Sequence, residues 1–522
     1  MTLASPTFLG MDIGTSSVKV ALFDARGAPL AVASRRHATT FGPDGQAEQN
    51  PLDWWSGACE GAREVIARAG SGAARIAAVG LSGQITTQVL LGPDGEAIRP
   101  ALTWQDTRAH AEAEELFRTL GADRLRKWLA IDLPVGANWP APKLLWLRRH
   151  EPDSLDRAAH LVEPKGYVLH RLTGEYAGDA SSGRGLVSQV TGRVPAALAQ
   201  AWGLRPEIVP PVRAPHSFAG RVTAAAADAT CVPTGTPVVL GWNDLNCAVL
   251  GTGAVSTGIG FDLTGTSEHI GVPVADLPGS ARPEGLMSGP FLEGLRLLYG
   301  VTMTGGAALD WYASRFRHEG EGLSDRYGRL LALAAQAPAG SERLLFLPYL
   351  HGERSPIWDA LARGAFVGVS ATHGEGHFAR AILEGVAYSL GQVLALVSAA
   401  AVAPREIRVS GGAGGLPLWN QIKADVLGVP VGELEVGEAA CLGAAMLAAI
   451  GAGAYRNARE AASAMVRVKG YVQPDGKSQA LYAEYGRLYQ RLYPALREVF
   501  HALAALPEAA AADCTCEGDG AG

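Results

Sequence analysis

Two short stretches of the sequence carry the residue types that phosphate chemistry needs. Gly10-Met11-Asp12-Ile13-Gly14-Thr15-Ser16 and Gly260-Phe261-Asp262-Leu263-Thr264-Gly265-Thr266-Ser267 each lead an apolar strand pattern through an aspartate into a Gly-Thr-Ser turn, with one extra residue in the second. Glycine lets the backbone turn tightly and approach a ligand, so its amides can wrap phosphate oxygens, and the hydroxyls of Thr15 and Ser16 add donors. Asp12, at the end of its strand, is placed to hold a hydrated Mg²⁺ against the same phosphate. An ordinary polar hairpin turn has the same composition. Recurrence of the pattern so far along the chain reads as a duplicated domain, not a solenoid.

A third carboxylate stands in a similar context. Gly241-Trp242-Asn243-Asp244 follows the apolar run Pro237-Val238-Val239-Leu240. A side chain at the C-terminal end of such a strand faces the crevice where α/β proteins bind ligands, so Asp244 suits a general base that takes a hydroxyl proton during phosphoryl transfer. A helix N-cap aspartate suits the same sequence. Gly411-Gly412-Ala413-Gly414-Gly415 follows the strand-like Arg408-Val409-Ser410. It would let a nucleotide lie against backbone, but it lacks the spacing of a dinucleotide fingerprint. The segment Gly470-Tyr471-Val472-Gln473-Pro474-Asp475-Gly476-Lys477-Ser478 misses the Walker A spacing by one residue, contains Pro474, lacks a good preceding strand and reads as a loop.

Three further segments mix aromatic and polar residues. They are Gly83-Gln84-Ile85-Thr86-Thr87-Gln88, Thr103-Trp104-Gln105-Asp106-Thr107-Arg108, and His351-Gly352-Glu353-Arg354-Ser355-Pro356-Ile357-Trp358-Asp359. Trp104 can stack on a sugar face while Gln84 and Asp106 bind hydroxyls; as a core residue Trp104 would do neither. Glu353 and Arg354 read as a structural ion pair.

The elements that must position these residues follow from apolar periodicity. Residues 8–13, 18–23 and 29–34 read as a three-strand meander, with polar turns between them. A helix is expected over 51–69 and a strand over 76–81. Later segments alternate helix and strand, which marks an α/β class. The second half repeats the scheme, with strands over 259–263, 344–347 and 406–409 and helices over 377–397, 418–427, 441–450 and 479–503.

Composition narrows the function classes. The chain has 522 residues, 48% of them apolar, and a formal net charge of −6. Two or three domains are expected. A slightly acidic chain without basic runs does not carry a nucleic-acid footprint. The first eight residues lack the charged and apolar regions of a leader, and the long apolar stretches are Ala/Gly-rich and read as buried helices. No membrane partner and a cytoplasmic location are expected. Cys514-Thr515-Cys516 sits in a Gly/Asp-rich tail without nearby histidine, which suits a disordered end better than a metal site.

Taken in order, the segments resemble the FGGY carbohydrate kinases of the sugar kinase, actin and chaperone ATPase superfamily. The likeness runs over about 8–503. It is strongest at Gly10-Met11-Asp12-Ile13-Gly14-Thr15-Ser16, at Phe346-Leu347-Pro348-Tyr349-Leu350-His351-Gly352-Glu353-Arg354-Ser355-Pro356, at Ala362-Arg363-Gly364-Ala365-Phe366-Val367-Gly368 and at Ala379-Arg380-Ala381-Ile382-Leu383-Glu384-Gly385-Val386-Ala387-Tyr388. The resemblance implies an α/β fold of two ribonuclease-H-like (actin-like) domains around a central interdomain cleft. It implies a sugar-binding domain over 1–252, an ATP-binding domain over 253–455, a C-terminal helical segment over 456–506 and a disordered tail over 507–522.

By the same resemblance, ATP and Mg²⁺ are the cofactors and Asp244 is the catalytic base. Asp12, Gly14, Thr15 and Ser16 serve phosphate, with Asp12 also serving the metal. Thr266 and Gly306 line the triphosphate, and Gly412 and Ala413 the adenosine. Gln84, Ile85, Thr86, Trp104 and Asp106 meet the sugar together with Asp244. Xylulokinases resemble the chain well overall, but they carry Met-His where Ile85-Thr86 stand and Asn where Leu245 stands. Leu416 replaces a polar adenine-site residue of glycerol kinases, and the segment from Gly352 to Asp359 is closer to gluconokinases. A ketopentose such as xylulose is the expected acceptor, with gluconate or a polyol as alternatives. The rival classes are an actin-like or chaperone-like ATPase and a catalytically silent sugar sensor. The first would need an appended client domain and the second would not need both Asp12 and Asp244. A homodimer is a possible assembly.

Overall fold

Strand alternation in the first hairpin sets up everything above it. In β1 (Thr7–Ile13), Leu9, Met11 and Ile13 enter one apolar core and Phe8 enters another, so both faces of the strand are covered. The computed structural model describes residues 6–130, 136–275, 284–316, 322–412 and 414–506. Residues 507–522, expected to be a disordered tail, and Ala413 lie outside the described residues.

β1 pairs antiparallel with β2 (Ser17–Asp24), which pairs antiparallel with β3 (Pro29–Arg36). Helix α1 (Pro51–Ala69) follows; Asn50 caps it by accepting from the Leu52 N–H, and Pro51 pre-sets its first turn. β4 (Ile76–Gly83) returns parallel to β1. After helix α2 (Pro164–Thr173), β5 (Phe218–Arg221) and β6 (Pro237–Asn243) complete a six-stranded sheet in the order β5-β6-β4-β1-β2-β3. Helix α3 (Asp244–Thr252) leaves directly from the end of β6.

The second sheet repeats this plan. β7 (Ile259–Thr264) and β8 (Glu268–Val274) form the hairpin, and β9 (Met287–Pro290) and β10 (Arg296–Thr302) extend it antiparallel. After helix α4 (Glu375–Ala400), β11 (Glu406–Ser410) runs parallel to β7. Helix α5 (Pro417–Leu427) leads to β12 (Val431–Leu434), parallel to β11. In each sheet a three-strand meander is followed by two parallel strands stacked beyond its first strand. The repeated Gly-Thr-Ser pattern therefore lies on a repeated topology, the two-domain actin-like plan.

Among the described residues α4 is long and apolar enough to cross a membrane, but 72% of its apolar window is buried within the protein. It forms the spine of the second core with Ile382, Val386, Leu390 and Val393. One expected feature needs correcting. The 456–506 segment is not purely helical: β13 (Val468–Val472) pairs antiparallel with β12 as the edge strand of the second sheet. Gly470 and Tyr471, read as loop, belong to it. The short Val-Lys-Gly-Tyr-Val run alternates too weakly to announce a strand, and the ladder to β12 supplies what propensity does not. The loop proper is shorter, and Asp475 then caps the C-terminal helix Gly476–Ala504 by accepting from the Ser478 N–H.

Helix α6 (Ala439–Gly451), almost entirely small and apolar, belongs in sequence to the second half but packs on β1 and β4 of the first sheet and along α3. Glycine makes that contact possible. A Cβ on Gly10 would stand 2.0 Å from the Cys441 carbonyl oxygen, and one on Gly443 would stand 1.9 Å from that of Cys247. Both neighbours are backbone and cannot swing aside. Gly443→Ala is therefore expected to destabilise the fold by about 1–3 kcal/mol, as at an overpacked site, read as a lower urea midpoint of unfolding. An unchanged midpoint would show that α3 and α6 part freely.

Candidate active site

The two hairpin turns, the end of β6 and the glycine run after β11 open onto one cavity of about 1400 Å³ between the two sheets. Asp12, Thr15, Ser16, Ile85, Thr86, Trp104, Asp244, Thr266 and Gly412 line it. Phe8, Gly10 and Asp12 share a face of β1, so the face that meets α6 carries Asp12 into the cavity at the head of that helix.

In the first turn the Gly14 N–H donates to the Ser17 carbonyl at 3.1 Å. The Asp12 carboxylate accepts from Ser82 Oγ at 2.7 Å. Opposite Asp12 in the hairpin register is Lys19, whose ammonium reaches Glu438 Oε2 at 2.6 Å across the cleft. Trp104 is no core residue. Its indole Nε1–H donates to Thr15 Oγ1 at 2.8 Å and its ring borders the cavity, so the Trp104 loop and the first turn are joined.

Asp244 is freed for chemistry because its neighbour takes the capping role. Asn243 is the N-cap of α3 and accepts from the Asn246 N–H at 2.9 Å, while Asp244 accepts from the adjacent Leu245 N–H at 2.8 Å.

Other expected residues lie behind the lining. Gln84 is buried, donating to Gln49 Oε1 at 2.8 Å and accepting from Thr87 Oγ1 at 3.1 Å. Gln49 in turn donates to the Thr15 carbonyl at 2.7 Å, so Gln84 braces the first turn from behind and offers the cavity no free amide. Asp106 is fully buried; its carboxylate is taken up by the Ala47 N–H at 2.9 Å and by Arg108 at 2.6 Å. Gly14 is half-buried and does not line the cavity. Gly306 donates its N–H to the Gly265 carbonyl at 2.9 Å and so backs the second turn without facing the cavity. The expected Glu353–Arg354 ion pair does not form. The Glu353 carboxylate accepts from the backbone N–H groups of Met303 at 2.6 Å and Arg354 at 2.8 Å, while the Arg354 side chain borders the cavity.

Sequence motifs gave no sign of several other residues, and marked Arg354 only as half of an ion pair. Lys423, on α5, sits beneath the second turn, 2.7 Å from Asp262 Oδ2 and 2.9 Å from Thr264 Oγ1, and it also pairs with Glu268. Lys143 is fully buried and donates to the carbonyls of Thr86 at 3.1 Å and of Thr103, clamping their two loops together. Burial pushes its pKa down to about 7. Glu438, His269, Arg184 and Arg354 complete the wall.

Comparison with known proteins decides the family. The N-terminal domain of the FGGY family of carbohydrate kinases matches residues 7–251, and the C-terminal domain of the same family matches residues 263–452. The chain belongs to the FGGY family of carbohydrate kinases. It is 30% identical over 506 residues to a xylulose kinase of Bacillus subtilis (strain 168), covering 95% of this chain and 98% of that one. Among solved structures, a xylulose kinase from Rhodospirillum rubrum superposes with a TM-score of 0.83 at 31% identity, over 95% of this chain and all 100% of that one. A gluconate kinase from Lactobacillus acidophilus superposes with a TM-score of 0.85 at 26% identity, over 95% of this chain and 99% of that one.

The electrostatics of this FGGY kinase suit phosphoryl transfer. Burial, and then the like charge of Asp12, push the Asp244 carboxyl up to about 7, against a smaller opposing effect of Arg184. A carboxylate so raised takes a proton far more readily than an exposed aspartate. Burial also raises Asp12. His269 is driven down to about 3 by burial and by Arg354 and Arg184, so it stays a neutral imidazole in the cavity wall.

Proposed function

We propose that this FGGY kinase transfers the γ-phosphoryl group of ATP to a hydroxyl of a ketopentose, xylulose being the first candidate, with Asp244 as general base. The observation that carries the reading is the common opening of the Asp12 turn, the Thr266 turn and the Asp244 carboxyl onto one cavity. Similarity to xylulose kinases over nearly the whole chain supports the acceptor class. The acceptor rests against Trp104, Ile85 and Thr86. Its hydroxyl gives its proton to Asp244 as the oxygen attacks phosphorus. The Thr15–Ser16 and Thr266 turns hold phosphoryl oxygens by backbone and hydroxyl donors, and the open backbone at Gly412 receives the nucleoside.

Mg²⁺ fits the donor set. Among the described residues no group of three or more His, Cys, Asp or Glu side chains could hold a metal alone. One carboxylate with substrate phosphates and water is the arrangement Mg²⁺ favours, and Asp12 supplies that carboxylate. The ion would neutralise phosphate charge; the chain's own contribution is to orient the reactants and exclude water. Use of cellular ATP on a small sugar places the work in the cytoplasm.

An ADP-release assay over D-xylulose, L-xylulose, D-ribulose, gluconate, glycerol and erythritol tests the reading. The expected result is the highest kcat/KM with a ketopentose. Release independent of any acceptor, with nucleotide-driven sedimentation, would sink the reading in favour of an actin-like ATPase.

A further inference from the structure

Three side chains around Asp244 converge on one hydroxyl. Ser181 Oγ accepts from Trp242 Nε1 at 2.6 Å and from Asn243 Nδ2 at 2.8 Å, with Asn246 Nδ2 farther off at 3.4 Å. The donors lie at the end of β6 and in the first turn of α3, on either side of Asp244 in sequence. A hydroxyl has two lone pairs and one proton, so it holds both near donors only if its own proton is directed elsewhere. Asp179 supplies that direction, since Ser181 Oγ donates to Asp179 Oδ1 at 2.6 Å.

Asp179 is itself fixed and charged. It is buried, pairs with the buried Lys165 at 3.0 Å, and accepts from the Ser182 N–H at 2.9 Å and from the Ser182 hydroxyl. Burial works against its ionisation, but the Lys165 charge and the serine hydrogen bonds outweigh burial and hold the carboxyl below the usual aspartate value. Lys165 stands in the first turn of α2, packed so closely on the end of β4 that a Cβ on Gly83 would stand 3.1 Å from its backbone nitrogen. The relay from Lys165 through Asp179 to Ser181 therefore starts on the first sheet and ends on the strand that delivers Asp244.

The relay decides a competition between neighbours. Asn243 and Asp244 both suit the N-cap of α3. Asn243 caps with its side-chain oxygen, which accepts from the Asn246 N–H, and this leaves its nitrogen facing Ser181. Without an acceptor at Ser181 the Asn243 amide loses its hold from behind, and the cap can pass to Asp244, one residue later. A carboxylate spent on capping no longer serves the cavity.

We propose that Ser181, oriented by Asp179 and Lys165, is a positioning residue that keeps the cap on Asn243 and the Asp244 carboxylate aimed at the acceptor hydroxyl. The inference rests on the general-base role proposed above and deepens it. Ser181 does not line the cavity, so it acts through Asp244 and not on a reactant.

The test is a double-mutant cycle, run with the fastest acceptor of the ADP-release panel. kcat and KM for ATP are measured for Ser181→Ala and Ser181→Cys, each with and without Asp244→Asn, together with thermal melts. Cysteine keeps the volume while offering only a weak acceptor, and it carries the cycle where the alanine enzyme does not fold. Ser181→Thr, which keeps the hydroxyl, is the rescue control. The expected result is a fall in kcat of about 10–10²-fold in the alanine and cysteine enzymes, the cost of a misplaced group, with KM for ATP near the wild-type value and most of kcat regained in the threonine enzyme. In the Asp244→Asn background the same substitutions should change kcat by less than about twofold, because no base is left to aim. An equal fall in both backgrounds overturns the inference and leaves Asp244 in its role, as does wild-type turnover in the alanine and cysteine enzymes. A threonine enzyme as slow as the alanine one assigns the loss to packing and also overturns it. Wild-type turnover in Asp244→Asn alone, or no turnover of any acceptor, removes the proposed function's base together with the inference.

Discussion

Asp244→Asn is expected to lower kcat by about 10²–10⁴-fold, the contribution of a positioned general base, while ATP binding stays near that of the wild type. Asparagine preserves the shape of the side chain, and its carbonyl can still accept from the Leu245 N–H, so α3 should start as before. What it cannot do is accept the hydroxyl proton. The pH profile supplies the second readout. Asp244 must be ionised to act, and its pKa is held at about 7 by burial and by Asp12. Wild-type kcat/KM should therefore climb with pH, about tenfold per unit well below that value, and level off above it. The residual activity of the variant should lose this limb. Wild-type turnover in the asparagine enzyme, or a flat wild-type profile between about pH 5 and 7, would remove Asp244 from the mechanism.

Lys423→Met is expected to cost about 3–5 kcal/mol of stability, the cost of removing one partner from a buried charge cluster. Methionine roughly matches the stem of lysine, so the loss is one of charge and not of volume. Asp262 and Glu268 are fully buried and would face each other without a cation. Glu268 is already raised to about 7, by burial first and also by Asp262, with Lys423 opposing. Without Lys423 it rises further. A carboxyl whose folded pKa exceeds its unfolded value binds more protons in the folded state, so stability falls as pH rises from the unfolded value through the folded one. The variant's deficit in urea midpoint should accordingly be larger at pH 8 than at pH 6, and KM for ATP should rise because the Thr266 turn loses its support. An equal deficit at both pH values would mean that the effect is packing alone.

Local signals explain what the sequence made legible. Asp12, Thr15, Ser16 and Thr266 stand in turns whose glycines and hydroxyls announce themselves, and Asp244 follows an apolar strand that ends where crevices form. The repeated hairpin also pointed to the repeated sheet. Three kinds of information were beyond its reach. One is the direction of a side chain next to a strand end: Gln84 and Asp106 sit within motifs that line the cavity, yet they turn inward to brace it. Another is competition between neighbours, as when Asn243 takes the cap that Asp244 seemed equally suited to. The last is long-range assembly. Lys19 and Glu438 are separated by 419 residues, and Lys423 and Asp262 by 161, so no spacing rule relates them. The edge strand β13 escaped for a similar reason, since its partner, not its composition, makes it a strand.

The glycine contacts of α6 have a mechanical consequence. Backbone presses on backbone at Gly10 and Gly443, so sliding along that seam would meet main-chain contact at once, whereas a turn about it would not. Displacement under such a rotation grows with distance from the axis. Asp12, Lys19 and Glu438 lie at the head of α6 and would scarcely move. Phe41 and Trp358, solvent-exposed at the cavity wall and not part of that seam, would travel further. Opening would thus resemble a pair of pliers, with the jaws admitting a sugar while the Asp12 carboxylate near the rivet keeps its place.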